Sequence, residues 1–235
     1  MNEHARVIAI DGPAAAGKST VAALLADRLN AMLFDTGSLY RAVTVAALQR
    51  GISPHDADGL AALVSDVDIA LRAPTVADGR IADVFLDGED VTWLVRTPEV
   101  DRWVSAVSAH AGVRSALLPV QRRIAANIPV VMVGRDIGTA VIPDAGVKIY
   151  LDATPEERAR RRTDELVARG NDADYDAILA EILRRDHADS TRSISPLERA
   201  PDAVVIATDG KSAAEAADEV VAIVQERIPQ LRKSQ

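Results

Sequence analysis

Five short apolar runs, dense in β-branched residues, recur along the chain: Val7–Ile10, Met32–Phe34, Val130–Val133, Val147–Leu151 and Ala203–Ile206. Apolar residues spaced at helical intervals fill most of the gaps and predict helices over 18–30, 38–50, 105–127, 155–169, 174–190 and 212–227. Near-continuous apolar strands alternating with helices build a parallel sheet covered on both faces. The expected fold class is therefore α/β, three layers around a parallel five-stranded sheet. Ligands on such sheets bind at the carboxyl ends of the strands. The rhythm breaks over 66–104, where Asp68-Ile69-Ala70-Leu71 is followed by the turn-like Asp78-Gly79, then Asp83-Val84-Phe85-Leu86 and the turn Asp87-Gly88-Glu89-Asp90. Short strands joined by turns predict a small antiparallel insertion in a single domain. The polar tail from Pro229 is expected to fray.

The first strand runs into Gly12-Pro13-Ala14-Ala15-Ala16-Gly17-Lys18-Ser19-Thr20, a match to G-x-x-x-x-G-K-[ST] in the strand–loop–helix context that the pattern requires. Free backbone N–H groups at the start of a helix converge on one spot, where the helix dipole also favours an anion. Gly12 and Gly17 allow the close backbone approach, Lys18 reaches the terminal phosphates, and the Ser19 hydroxyl suits Mg²⁺. The fold expectation sharpens to the P-loop NTP hydrolase type.

Two further strands end in polar clusters. Asp35-Thr36-Gly37-Ser38-Leu39-Tyr40-Arg41 opens a helix that Thr36 or Ser38 can cap, and it also suits a second phosphate clamped by Arg41. Gly134-Arg135-Asp136-Ile137-Gly138-Thr139 places a charged pair at the binding face. There Arg135 would meet a phosphoryl oxygen and Asp136 would accept from an amino or hydroxyl group, unless the two simply pair. After the helix start Thr154-Pro155-Glu156-Glu157, residues Arg158, Arg161 and Arg162 share a face, while Arg160 points elsewhere. They form either a salt-bridged solvated face or a set of cations for transferring phosphates. Arg185, Asp189 and Arg192 likewise share one helical face, as an ion-pair ladder or a ribose-and-phosphate grip.

Composition narrows the classes. The chain has 235 residues, no cysteine and a net charge of −8, so disulfides are excluded and broad nucleic-acid or membrane-surface binding by charge is disfavoured. The four histidines lack metal-ligand spacing. With no apolar leader and no run long enough to span a bilayer, a cytoplasmic location is expected. A regulatory GTP-binding protein would need a guanine-reading Asn-Lys-x-Asp, and no Asn here precedes a Lys; its Asp-x-x-Gly is matched only by Asp56-Ala57-Asp58-Gly59 in a polar connection. An ATP-driven remodelling module would show a strand closing on Asp-Glu and a basic surface, and neither is present.

The four motifs together resemble bacterial cytidylate kinases in order and spacing: Asp11-Gly12-Pro13-Ala14, Asp35-Thr36-Gly37 with Tyr40-Arg41, Gly134-Arg135-Asp136-Ile137-Gly138-Thr139, and Arg185-Asp186 followed by Asp189 and Arg192. The resemblance covers about residues 5–228. It implies transfer of the γ-phosphoryl group of ATP to CMP or dCMP with Mg²⁺. By the same resemblance Thr36, Arg41, Arg135 and Arg192 hold the CMP phosphate. Ser105, Arg114 and Asp136 read the base, and Arg185 and Asp189 the sugar. Lys18, Arg135, Arg192 and the lid residues Arg158, Arg161 and Arg162 carry the catalysis. It divides the chain into a core of about 1–65 and 105–228, a monophosphate-binding insertion of about 66–104 and a lid of about 155–190. The expected partners are the nucleotides alone, without nucleic acid or membrane, for a monomer. Adenylate, uridylate and shikimate kinases share the architecture and are the nearest competitors.

Overall fold

The computed structural model describes residues 3–126, 128–168 and 170–231. The predicted helix ends at 127 and 169, and the tail residues 232–235, lie outside the described residues. Strands β1 (Val7–Asp11), β2 (Met32–Asp35), β6 (Val130–Val133), β7 (Val147–Asp152) and β8 (Val204–Ala207) form a parallel sheet in the order β2-β6-β1-β7-β8. The α/β expectation is met, and all five strands fall where the apolar runs placed them. Side-chain alternation along β1 divides the core: Val7 and Ala9 join one apolar layer, Ile8 and Ile10 the other. Helices α1 (Lys18–Leu29) and α8 (Ala213–Arg227) bury Leu25, Val220 and Val224 against the second face. The first face receives Leu39 and Val43 of α2 (Gly37–Gln49), Leu60 of α3 (Ala57–Asp66), Val107 of α4 (Pro98–Ala109) and Leu117 of α5 (Ala111–Ala125).

The single helix predicted over 105–127 is two. Pro98 occupies the first turn of α4, the acidic Glu99 and Asp101 follow, and the chain turns at His110, whose backbone is extended. Helix α3 was not predicted at all. Asp56 caps it by accepting from Gly59 N–H at 3.0 Å, so the Asp-x-x-Gly letters there start a helix. The fray expected from Pro229 gives way to a 3₁₀ turn that buries Leu231 against the α8 layer.

The antiparallel expectation is met by β3 (Ile69–Arg72), β4 (Asp83–Leu86) and β5 (Glu89–Asp90). Asp87 and Gly88 both adopt positive φ, the geometry of a two-residue hairpin turn. The intervening segment is drawn together by charge. Arg80 donates to Asp78, Asp83 and Asp90 at 2.7–2.9 Å, and the Trp93 indole N–H donates to Asp78 at 3.0 Å. Helices α6 (Pro155–Ala168) and α7 (Tyr175–Thr191) pack together beyond the carboxyl edge of the sheet.

Candidate active site

The loop after β1 is shaped by two glycines. At Gly12, with φ +148°, a Cβ would lie 2.1 Å from the carbonyl oxygen of Leu151 on β7, so no side chain fits. Gly17, with φ +83°, turns the chain into α1. Lys18 stands in the first turn of that helix, buried, and donates through Nζ to Pro13 O at 2.6 Å. Burial holds its ammonium well below the usual lysine range, and neighbouring Arg135 adds to the effect. Ser19 donates through Oγ to Asp35 Oδ2 at 2.9 Å, while Asp35 Oδ1 accepts from Gly37 N–H at 3.0 Å. The start of α2 is thus held by Asp35, not by Thr36 or Ser38. The Thr36 hydroxyl instead donates to Val133 O at 2.8 Å.

Opposite the loop, Asp136 is buried and accepts from Arg114 Nη2, with Arg192 Nη2 at 3.7 Å on its other oxygen. Arg135 does not pair with Asp136; it donates to Asp189 Oδ2 at 3.1 Å, and Arg192 lies 3.8 Å from the same carboxyl group. The Arg114 guanidinium stacks over the Tyr40 ring at 5.3 Å. Arg41 reaches Val95 O at 2.8 Å and Asp101 at 2.6 Å, tying α2 to α4.

These groups line one cleft of about 680 Å³, which takes in the loop from Ala14 to Thr20, Thr36, Arg41, Ser105, Arg114, Arg135, Asp136, Arg161, Arg162, Arg185, Asp189 and Arg192. Among the described residues, three buried guanidinium nitrogens around it, Nε of Arg114, Nε of Arg185 and Nη2 of Arg192, have no hydrogen-bond acceptor. Unpaired buried donors are costly, and several positive ones in a single cleft fit an anion. Gly12 and Pro13 form the root of the loop and do not line the cleft.

The helix arginines divide. Arg158 is buried away from the cleft, with donors committed to Ala153 O, Ala14 O and Asp186 Oδ2 at 3.0, 3.0 and 2.6 Å. It braces the phosphate loop from behind and is not offered to a phosphate in this arrangement. Arg161 bonds Glu157 and both oxygens of Thr208, and Arg162 pairs with Glu165, both at the cleft wall. Arg160 faces outward to Glu157 and Asp164, as its position on the helix predicted. Sequence reasoning passed over Asp35, Tyr40 and Ser108 as individual site residues, though each lines the cleft. Asp35 carried the same signal as Asp136, a carboxylate directly after an apolar strand.

Comparison with known proteins agrees with this geometry. A family model described as Cytidylate kinase matches residues 8–226. The cytidylate kinase of Bacillus subtilis is 46% identical over 220 residues, covering 94% of this chain and 96% of its own. That of Roseiflexus castenholzii is 49% identical over 223 residues, covering 94% and 93%. A gluconokinase from Sinorhizobium meliloti aligns in structure with a TM-score of 0.50 at 15% identity, covering 100% of both chains, a likeness of fold. With the motifs converging on one cleft and relatives near half identical along almost their whole length, this chain belongs to the cytidylate kinase family.

Proposed function

We propose that the protein transfers the γ-phosphoryl group of ATP to CMP or dCMP, giving ADP and CDP or dCDP. The observation that carries the reading is Asp136, a buried carboxylate held by Arg114 and Arg192 in the cleft that Lys18 also lines. A carboxylate accepts from the 4-amino group of cytosine, whereas uracil presents a carbonyl there and is repelled. Ser105 and Arg114 complete the base reader, and Arg185 and Asp189 take the sugar. The acceptor phosphate belongs with Thr36, Arg41, Arg135 and Arg192, and the unpaired buried donor of Arg192 supports an anion in the cleft.

The donor's phosphates fit the loop from Ala14 to Thr20, which Gly12 and Pro13 root, with Lys18 exchanging Pro13 O for phosphate oxygens. Ser19 Oγ and Asp35, already in contact beside the loop, form an oxygen donor set suited to Mg²⁺. The ion would neutralise phosphate charge when bound. Arg161 and Arg162 on the cleft wall supply further positive charge, and α6 with α7 would close over the reactants and exclude water. In-line transfer relies on such positioning and charge neutralisation, so no general base is required. The protein is read as a monomer.

An ADP-release assay with CMP, dCMP, UMP, AMP and shikimate as acceptors tests the assignment. CMP and dCMP are expected to be the preferred acceptors. Turnover with AMP or shikimate and none with a pyrimidine monophosphate would overturn it.

A further inference from the structure

Asp11, the last residue of β1, is almost fully buried and takes no part in the chemistry described above. Its carboxylate turns across the sheet toward the segment after β6, where Oδ1 accepts from Ile137 N–H at 2.8 Å and Oδ2 from Gly138 N–H at 2.7 Å. These two residues follow directly on Arg135 and Asp136 and open a single π-helical turn, Ile137–Val141. On the other side of the pair, Gly134 N–H donates to Ile10 O at 3.0 Å. The dipeptide that faces the acceptor is therefore stapled to β1 before and after, and β1 leads directly into the phosphate loop. Nothing else about the loop requires an acid at this position, since Gly12 alone meets the steric demand of β7.

We propose that Asp11 is a positioning residue for acceptor recognition, fixing the backbone that carries Arg135 and Asp136 by accepting two N–H bonds. The inference rests on the reading of Asp136 as the cytosine reader. A carboxylate suits the task because both of its oxygens accept, and an amide offers only one acceptor and turns an N–H₂ toward the other donor. Protonation weakens the brace in the same way. Lys18, Asp136 and Tyr150 face Asp11 from α1, the loop after β6 and β7, and the Lys148 stem lies beside Gly138. Burial, opposed by the two N–H bonds, pushes the Asp11 carboxyl up to about 6.

The test is Asp11→Asn, assayed with CMP, UMP and ATP between pH 5 and 8. The KM for CMP is expected to rise at least tenfold and the preference for CMP over UMP to shrink, while the KM for ATP stays within about twofold. The wild-type KM for CMP should also carry an acid limb near pH 6 beyond the one that CMP's own phosphate imposes, and the variant should keep only the latter. A folded variant with unchanged KM for CMP and unchanged preference would overturn the proposal. So would an equal rise in both KM values, the mark of general damage. A readout free of activity uses amide NMR of the wild-type protein, in which the Ile137 and Gly138 signals should titrate together near pH 6. Pyrimidine turnover absent with that titration present sinks the functional reading and leaves the brace standing; amides that stay flat sink the brace, even if Asp11→Asn fails to fold.

Discussion

Lys18 and Asp136 line the same cleft, and their environments differ in kind. Lys18 donates to a carbonyl of its own loop, a bond that phosphate oxygens would replace. Lys18→Ala is expected to lower kcat by about a thousandfold or more, because charge neutralisation of the transferred group is lost. CMP affinity by calorimetry should stay within a few-fold, and near-normal turnover would refute the role. Asp136 is fixed between two arginines, so its contribution is a directed acceptor. Asp136→Asn is expected to cut the preference for CMP over UMP by about tenfold or more in competition kinetics, since an amide can donate to the uracil carbonyl. Individual roles were only partly legible at this scale. The letters of Arg158 and Arg161 are equivalent in sequence, and only the fold reveals that Arg158 faces the back of the loop. Asp35 was visible as a strand-end acid, but its contact with Ser19 depends on the β2–α1 geometry.

Elements were legible where a local rule and tertiary burial agree. The strands were, because parallel strands covered on both faces read as near-continuous apolar runs. Helix α4 was misplaced although Thr97-Pro98-Glu99 repeats the start signal of Thr154-Pro155-Glu156. Its apolar positions, Val100, Val104 and Val107, are few, and the periodicity merged with that of α5. Helix α3 is short and buries only Leu60 and Leu63, too weak a stripe to stand out. Helix α8 is the opposite case, with a full capping box in which Ser212 Oγ accepts from Glu215 N–H at 3.2 Å and the Glu215 carboxylate accepts from Ser212 N–H at 2.8 Å. Ser212→Ala is expected to destabilise the fold by about 1 kcal/mol in urea unfolding and leave kcat and both KM values unchanged. An altered KM would show that α8 communicates with the cleft.

The whole molecule carries a net charge of −8 yet gathers guanidinium groups with unmet donors into one cleft. That contrast steers anions to a single place. It also makes pH a global variable. Asp11 binds its proton more tightly in the fold than in the unfolded chain, since burial raises its pKa from 3.8 to about 6. Its contribution to stability is full below pH 4 and disappears as pH rises through 6, a swing of about 3 kcal/mol. The paired surface carboxylates, such as Asp202 on Lys148, work in the opposite sense. Subtracting the urea-unfolding profile of Asp11→Asn from that of the wild type isolates the one group, and the difference should fall with pH between 4 and 6. Parallel profiles would show that folding does not raise the Asp11 pKa.

The three carboxylates gathered on Arg80 have a consequence for how the family can diverge. Gly79 and Ile81, on either side of that arginine, line the cleft, yet Arg80 itself turns away into Asp78, Asp83 and Asp90. A single arginine therefore holds the segment from Asp78 to Asp90 together beside the cleft. Its replacement would loosen that wall while the other side chains that line the cleft stay as they are. Inheritance can in this way reshape the edge of the cleft without rewriting the side chains that line it.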